Sequence, residues 1–165
     1  TGHSLTNSAD GSISCIQKRS GMTIDIPPGI ILVEDDDIDR MVVTRAFAKN
    51  NIKNPLHIAR DGEEALEMLK GLNGKEKLDP LPKIMLLDIN MPRMNGLELL
   101  REIRHDEELQ TISVFMLTTS KDDQDRLEAY KNNVAGYIIK PVSFDKLVEA
   151  IAVLNTYWNL SVLPA

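Results

Sequence analysis

Short apolar runs alternate along the chain with stretches in which apolar residues recur at intervals of three and four positions. From Gly29 onward, the runs have the length and the β-branched content of strands, whereas the periodic stretches are typical of helices with one buried face. Most runs contain hardly any polar residue, as expected of strands that are covered on both faces. The predicted strands are Ile30 to Glu34, Leu56 to Ala59, Ile84 to Asp88, Ser113 to Leu117 and Gly136 to Ile139.

Four of the intervening stretches carry an apolar stripe that predicts an amphipathic helix. The stretch after Ser120 begins with a good N-cap residue but offers mainly Leu127 and Tyr130 as apolar anchors, so it should form the least firmly held helix. The segment Gly71 to Lys83, with two glycines and two prolines, predicts a longer connection. The four stripes are Ile38, Met41, Val42 and Ala46; Ala65, Leu66, Leu69 and Leu72; Leu97, Leu100 and Ile103; and Phe144, Leu147, Val148, Ile151 and Leu154.

Strands and helices in alternation predict an α/β fold with a parallel sheet. Right-handed crossovers, with helices on both faces, favour a doubly wound five-stranded sheet of order 2-1-3-4-5. In this order the C-terminal ends of the first, third, fourth and fifth strands lie along one edge, where open α/β sheets bind their ligands. We therefore expect the functional residues at these strand ends.

Composition narrows the possible functions. The chain has 165 residues, of which 42% are apolar, and this suffices for one domain but hardly for two. A net charge of −6, with lysine and arginine scattered along the chain, argues against binding to nucleic acid. The single cysteine, Cys15, can form neither an internal disulfide nor a thiolate cluster, so a metal ion would need oxygen ligands.

The N-terminal segment differs from the rest of the chain. Residues 1–21 are rich in Ser, Gly, Thr and Asn and lack periodicity, which predicts a tag or a disordered extension, followed by a single domain over residues 22–165. No window approaches the roughly 18 uninterrupted apolar residues of a membrane span, and no secretory signal is visible. We therefore expect a cytoplasmic protein that does not contact a membrane.

Acidic residues end the first and third strands. Runs of acids usually lie in solvated loops or at helix starts, and this is what we expect of Asp36, Asp37 and Asp39. The predicted strand order, however, places Glu34 and Asp35 beside Asp88, and carboxylates at close range repel each other unless a proton or a cation intervenes. With few carboxylates and much of the coordination left to water and a phosphoryl oxygen, Mg²⁺ is the cation that fits best.

The remaining strand ends supply groups that suit phosphoryl transfer. Asp88 could be an ordinary turn-starting acid, but a carboxylate can also attack phosphorus and form an aspartyl phosphate. Lys140 could face solvent, yet its strand end lies two steps from Asp88 and its ammonium could neutralise a phosphoryl oxygen. Thr118 could simply end its strand, yet its hydroxyl could donate to the same group. The conjunction of these residues favours the functional interpretation.

Four segments that contain these strand ends resemble the signatures of receiver domains of two-component response regulators, over about residues 29–156. This resemblance implies a flavodoxin-like fold in which Asp88 is the phosphoacceptor and Lys140 and Thr118 contact the phosphoryl group. It also implies that Asp35 binds Mg²⁺ directly, Glu34 largely through water, and Asn90 through its main-chain carbonyl. The segments are Ile31 to Asp36, Leu86 to Gly96, Leu117 to Ser120 and Gly136 to Pro141.

Two further features are implied by the same resemblance. Thr118 and Tyr137 form a switch in such domains, in which the threonine moves toward the phosphoryl group and the aromatic ring turns into the space that it leaves. A cis peptide bond is often found before the proline that follows the lysine, which here would join Lys140 to Pro141. The surface changed by the switch would comprise the fourth helix, fifth strand and fifth helix.

The resemblance implies that a sensor histidine kinase donates the phosphoryl group and that the protein is not an enzyme acting on external substrates. Because only a short tail follows the last helix, we expect no output domain and a signal passed by contact to another protein. The apolar tail Tyr157 to Leu163 either packs on the domain or joins a homodimer through the switch surface. Together with Thr118 to Ser120, it is similar to stand-alone receivers that work with phytochrome-type kinases.

Two other functions are compatible with a doubly wound fold. A phosphatase of the haloacid-dehalogenase type also forms an aspartyl phosphate with Mg²⁺, but it needs an acid two residues after the nucleophile, where this chain has Asn90. A flavodoxin-like FMN binder needs a phosphate-cradling loop after its first strand, whereas Glu34 to Asp37 would repel a phosphate. Phosphate release from a generic phosphoester would support the former, and a yellow flavin spectrum the latter.

Overall fold

Seven strands and five helices form within the residues that the computed structural model describes, which are 16–19 and 22–164, with side chains from residue 26 onward. The strands are β1 (Ile16–Arg19), β2 (Met22–Asp25), β3 (Ile30–Val33), β4 (Leu56–Ala59), β5 (Ile84–Leu87), β6 (Ser113–Thr118) and β7 (Gly136–Ile139). The helices are α1 (Asp37–Lys49), α2 (Gly62–Lys70), α3 (Gly96–His105), α4 (Asp123–Lys131) and α5 (Phe144–Leu160). None of these helices combines the length and apolarity that crossing a membrane requires.

Five strands form one parallel sheet of order β4-β3-β5-β6-β7. This is the predicted order 2-1-3-4-5, so the doubly wound α/β fold is confirmed. The pairing of Val33 with Leu87 places the residues that follow β3 and β5 side by side. Glu34 and Asp88, which we predicted as the last strand residues, lie one position beyond the strands, where side chains can face a shared pocket.

Alternate residues of the central strands pack on opposite faces of the sheet, because successive side chains in a strand point in opposite directions. Ile31, Val33, Met85 and Leu87 face one core with α2 and α3, and every one of them is fully buried. Ile30, Leu32, Ile84 and Leu86 face a second core with α1 and α5. Apolar burial on both faces explains why these strands read as continuous apolar runs.

The strands β1 and β2 pair with each other in an antiparallel ribbon that is a separate sheet from the other five strands. The apolar pattern did not predict this ribbon. The expected tag or extension at residues 1–21 falls mostly outside the described residues, since only Ile16–Arg19 of that segment is described. Its nature stays a prediction.

The buried face of α1 differs from the predicted stripe. Ile38 and Met41 were expected in the core but are exposed, and the buried residues are Val43, Ala46 and Phe47. The buried side chains lie on a helix face that is rotated from the predicted stripe and that begins only at Val43, after the first turn. In the same way, Leu72 lies beyond the end of α2 and is exposed.

The weakly anchored helix α4 is present, but its predicted anchors are wrong. Leu127 and Tyr130 are about half exposed, at 49% and 51%, and the buried side chain of this helix is Ala129. The N-cap is Asp122 and not Ser120, because the Asp122 carboxylate accepts from the first main-chain N–H groups of the helix. A helix with so little buried apolar surface has little to hold it to the sheet.

The last helix, α5, continues through Leu160 and so includes most of the apolar tail. Phe144, at its first position, is more exposed than predicted, whereas Trp158 is 2% exposed. The Trp158 indole stacks on Phe47 with ring centroids 6.3 Å apart, and its Nε1 donates to Asn155 at 2.9 Å. Of the two alternatives for the tail, packing on the domain is therefore correct for Trp158.

We expect Trp158→Ala to lower the free energy of unfolding by about 3 to 5 kcal/mol, because it leaves a large cavity between α5 and α1. Urea denaturation followed by circular dichroism measures this loss. Leu160→Ala is the matched control, since Leu160 is 81% exposed on the same helix and should change stability by less than about 0.5 kcal/mol. Equal losses in the two variants would contradict the assignment of Trp158 to the core.

Candidate functional site

The C-terminal ends of four parallel strands bring the predicted site residues together. The Asp88 N–H donates to the carbonyl of Val33 at 3.1 Å, which fixes Asp88 beside Glu34. The Lys140 N–H donates to the carbonyl of Thr118 at 2.8 Å, which fixes these two residues to each other on the far side of Asp88. Main-chain hydrogen bonds between the strands thus fix the backbone positions from which the side chains of Glu34, Asp88, Thr118 and Lys140 extend.

Three carboxylates meet in this pocket. One oxygen from each of Glu34, Asp35 and Asp88 lies within 4.8 Å of the other two. Glu34 and Asp88 are 2% and 6% exposed, and Asp35 lies on the more open side. Burial raises the pKa of Glu34 to about 7, with the nearby Asp88 adding to the shift and Lys140 opposing it. Burial also raises the pKa of Asp88, against the Lys140 ammonium.

One ammonium lies close to three acids at the pocket, Glu34, Asp39 and Asp88. The Lys140 Nζ donates to Glu34 Oε2 at 2.6 Å and to Asp39 Oδ2 at 2.8 Å, and lies 3.8 Å from Asp88 Oδ2. Although burial would lower its pKa, these carboxylates hold the pKa of Lys140 above its ordinary value. The pocket nevertheless has more negative than positive charge.

This donor set fits a hard divalent cation. The Asp88 Oδ1 is buried and has no hydrogen-bond partner among the residues that the structure describes. A buried oxygen of this kind normally has a partner, and carboxylate oxygens are the ligands that Mg²⁺ prefers. The cluster of Glu34, Asp35 and Asp88 can therefore hold such an ion. Asn90 follows two residues after Asp88 with its side chain exposed, and its main-chain carbonyl stays a predicted ligand.

The acidic loop between β3 and α1 is held from behind by Arg40. Its guanidinium donates to the main-chain carbonyls of Glu34 and Asp35, both at 2.8 Å, and pairs with Asp37. Asp36 caps α1 by accepting from the Asp39 N–H at 2.9 Å. With two of its carbonyls bound to Arg40, the loop places the carboxylates of Glu34 and Asp35 near Asp88.

The loop after Asp88 is held on its other side by an ion pair. Arg93, in a left-handed conformation with φ of 65°, donates through Nε to the buried Asp61 carboxylate at 3.0 Å. Burial alone would raise the pKa of Asp61, but hydrogen bonds from Glu64 N–H and Arg93 outweigh it and hold the pKa below its ordinary value. Gly96 is required at the end of this loop, because a Cβ there would collide with the Asp88 carbonyl.

The predicted switch residues meet at Ser120. Thr118 is fully buried, and its Oγ1 accepts from the Ser120 N–H at 3.2 Å. The Tyr137 hydroxyl donates to the Ser120 carbonyl at 3.0 Å, and the Ser120 hydroxyl donates to Asp125 of α4 at 2.7 Å. One residue therefore joins Thr118, Tyr137 and α4.

Sequence reasoning missed Asp39, Arg40 and the contacts of Ser120. Asp39 was expected to be a solvated helix-start acid, but its carboxylate faces the pocket and contacts Lys140. Its position could have indicated this contact, because Asp39 lies five residues after Glu34, in the first turn of the helix that begins at the same strand end. The expected cis peptide bond at Lys140–Pro141 is also wrong, since the structure has its cis bond at Asp79–Pro80 among the described residues.

Comparison with known proteins gives one consistent result. A family model for the response regulator receiver domain matches residues 30–152. The probable methanogenesis regulatory protein FilR2 of Methanothrix harundinacea is 38% identical over 129 residues, which are 78% of this chain and 82% of FilR2. The response regulator Rcp1 of Synechocystis is 34% identical over 140 residues, which are 84% of this chain and 95% of Rcp1.

Solved structures agree with this match. The Mn²⁺-bound form of the response regulator Rcp1 has a TM-score of 0.76 and 33% identity, and the match covers 84% of this chain and 100% of that one. The phosphorylated cyanobacterial phytochrome response regulator RcpA has a TM-score of 0.77 and 30% identity, and the match covers 84% of this chain and 99% of RcpA. RPA3017, a response regulator in red light signalling of R. palustris, has a TM-score of 0.75 and 35% identity. The match covers 84% of this chain and 99% of RPA3017.

We expect Asp61→Asn to lower the free energy of unfolding at pH 7 by about 1 kcal/mol, because asparagine can still cap α2 but cannot pair with Arg93 as an anion. A carboxylate whose pKa is depressed by folding stabilises the fold above its ordinary value of 3.8, and this contribution is lost as the pH falls through the folded-state pKa. Urea denaturation at several pH values should therefore show the gap between parent and variant closing in acid.

The exposed Asp79 provides the control, because Asp79→Asn makes the same chemical change in the loop that precedes β5, at the opposite end of the sheet. A stability gap for Asp61→Asn that persisted unchanged below the ordinary aspartate pKa would contradict the role given to its charge.

Proposed function

The chain belongs to the response regulator receiver family, and on this basis we propose that its pocket at the strand ends accepts a phosphoryl group on Asp88. Receiver domains work in two-component signalling with histidine kinases as partners. The observation that carries the proposal is the buried Oδ1 of Asp88, which has no partner among the described residues and lies beside two further carboxylates and the Lys140 ammonium. Both oxygens of Glu34, the other buried carboxylate of the cluster, already accept hydrogen bonds, one from Lys140 and one from the Asp36 N–H.

In the proposed reaction, a carboxylate oxygen of Asp88 attacks the phosphorus of a phosphohistidine. The new O–P bond forms as the P–N bond breaks, and the histidine nitrogen keeps the electron pair of that bond and takes up a proton. Lys140 neutralises a phosphoryl oxygen, and the Thr118 hydroxyl donates to another once it turns from Ser120. Thr118 ends the strand next to that of Asp88, and the Lys140 Nζ already lies 3.8 Å from Asp88 Oδ2, so these are small movements.

Glu34, Asp35 and Asp88, with the Asn90 carbonyl, are the proposed ligands of Mg²⁺. When bound, such an ion neutralises charge on the phosphoryl oxygens and offsets the repulsion among the carboxylates. We propose that the protein turns over no external phosphoester, since Asn90 has a carboxamide where a phosphatase needs a general acid. Its chemistry is then limited to taking up and losing its own phosphoryl group. The cytoplasmic location stays a prediction.

We propose that the donor is a phytochrome-type histidine kinase. Support comes from similarity to RcpA, a cyanobacterial phytochrome response regulator, and to RPA3017, a response regulator in red light signalling. Exposed apolar residues around the pocket offer a contact surface for the kinase. Ile38 and Met41 flank Asp39 and Arg40 on α1, and Val142 follows two residues after Lys140. Their exposure beside the charged pocket would bring a partner's histidine close to Asp88.

The switch in this proposal acts through Ser120. When Thr118 turns toward the phosphoryl group, the Ser120 N–H loses its acceptor. Ser120 is then held less firmly, and this weakens the hydrogen bond from the Tyr137 hydroxyl to the Ser120 carbonyl. Ser120 also bonds to Asp125, so the N-terminal turn of α4 should shift with it. The other end of α4 is held, because Arg104 of α3 donates to the carbonyls of Asn132 and Asn133.

We propose that the surface formed by α4, β7, α5 and the apolar tail mediates a homodimer. Apolar side chains lie exposed along α5 and the tail at Val153, Tyr157, Leu160 and Val162. The first three recur at intervals of four and three, which places them on one face of the helix. Exposed apolar surface of this kind is typical of an interaction site. Trp158 cannot contribute, since it is buried in its own domain. The downstream partner would read the phosphorylated form by contact.

We expect one phosphoryl adduct when the protein is incubated with acetyl phosphate and Mg²⁺, and none in Asp88→Asn, because that change removes the nucleophilic oxygen. Intact mass spectrometry measures the adduct. Chelation of Mg²⁺ should abolish labelling of the parent, since the carboxylates would then repel the anionic donor.

The control for this experiment is again Asp79→Asn, which makes the same change at the opposite end of the sheet and should be labelled like the parent. Undiminished labelling of Asp88→Asn would refute the proposed phosphoacceptor, and steady phosphate release from a generic phosphoester would favour a phosphatase.

We expect a phosphoryl mimic, beryllofluoride with Mg²⁺, to change amide hydrogen exchange in the β6–α4 loop and the first turn of α4. The C-terminal end of α4 should change less because Arg104 holds it, and α3, which is anchored by four buried leucine and isoleucine side chains, should not change. Exchange is measured by mass spectrometry, with Thr118→Val as the variant that should lose the response. Equal exchange rates in α4 with and without the mimic would rule out this switch.

A further inference from the structure

The Lys140 ammonium has three N–H donors, and the structure shows where two of them go. They bond to Glu34 Oε2 at 2.6 Å and to Asp39 Oδ2 at 2.8 Å. Asp88 Oδ2, at 3.8 Å, lies beyond hydrogen-bonding distance. Lys140 is therefore bound more closely to the first turn of α1 than to the residue on which it is proposed to act.

The two bound carboxylates differ in what else they can do. Glu34 is buried beside Asp35 and Asp88 and belongs to the proposed metal ligands. Asp39 is not part of that cluster, and its side chain is 41% exposed. Its main-chain N–H is bound by the Asp36 cap, so the backbone of Asp39 stays in place whatever its side chain does. Among the described residues, the Asp39 carboxylate forms its only hydrogen bond and ion pair with Lys140.

We propose that Asp39 is a positioning residue that restrains Lys140 in the resting state and competes with the phosphoryl group on Asp88 for its ammonium. The inference rests on the proposed function of Asp88. Acceptance of the phosphoryl group draws the ammonium toward Asp88 and weakens its bond to Asp39. The first turn of α1, which presents Ile38 and Met41 to solvent, then loses a contact with the end of β7.

The proposal is tested by the initial rate at which acetyl phosphate with Mg²⁺ labels Asp88, followed by intact mass. Asp39→Asn should raise this rate about two- to fivefold, the range expected from removing a half-exposed ion pair. Asp37→Asn is the matched control, because it removes the same charge from the same turn but pairs with Arg40 and not with Lys140. Its rate should equal that of the parent.

The rate gain must also depend on Lys140. Lys140→Met should itself lower the labelling rate, because it removes the ammonium that neutralises a phosphoryl oxygen. Adding Asp39→Asn to this variant should not raise its labelling rate. A gain of equal size in that background, or in Asp37→Asn, would show a general effect of negative charge and overturn the proposal. A rate for Asp39→Asn equal to or below that of the parent would overturn it as well.

A second readout does not depend on phosphorylation. Nitrogen-15 NMR of the Lys140 ammonium in the unphosphorylated protein should show faster proton exchange with water in Asp39→Asn than in Asp37→Asn, because the restraining hydrogen bond is lost. Equal exchange would overturn the proposed restraint. A parent chain that took no label at Asp88 would instead overturn the proposed function, while ammonium exchange would still decide whether Asp39 holds Lys140.

Discussion

A single ammonium group stands among more carboxylates than it can neutralise. Lys140 bonds to Glu34 and Asp39 and lies close to Asp88, and one buried oxygen of Asp88 has no partner within the part of the chain that the structure describes. Removing charged groups from water is costly unless they are paired and hydrogen-bonded, so this arrangement favours a bound cation. The pocket concentrates like charges, and the rest of the fold must hold it in place.

That support comes from two sources. The apolar cores on both faces of the sheet fix the strands. Main-chain hydrogen bonds between neighbouring strand ends then fix the backbone of Asp88 and Lys140. The loops are then held individually, by Arg40 behind the acidic turn and by the Asp61–Arg93 pair beside the loop after Asp88. Neither arginine lies in the pocket, but each holds a loop from which pocket carboxylates project.

Stability is unevenly distributed around this rigid centre. Helix α3 buries Leu97, Leu99, Leu100 and Ile103, whereas the buried side chain of α4 is Ala129. A helix that buries little apolar surface costs little to displace. Since Ser120 connects α4 to both Thr118 and Tyr137, the element that is easiest to move is also the one joined most directly to the pocket.

The sequence by itself determined the alternation of strands and helices, the strand order and the conjunction of Glu34, Asp35, Asp88, Thr118 and Lys140, because continuous apolar runs and polar strand ends are local patterns that follow from backbone periodicity. It misplaced Ile38, Met41, Leu127 and Tyr130, since an apolar residue at helical spacing reaches the core only if its own turn faces the sheet. Tertiary structure alone decided that Trp158 stacks on Phe47, that Ser120 joins three elements and that Asp39 binds Lys140, 101 residues away. Such contacts depend on how distant elements are oriented, and no local pattern encodes that orientation.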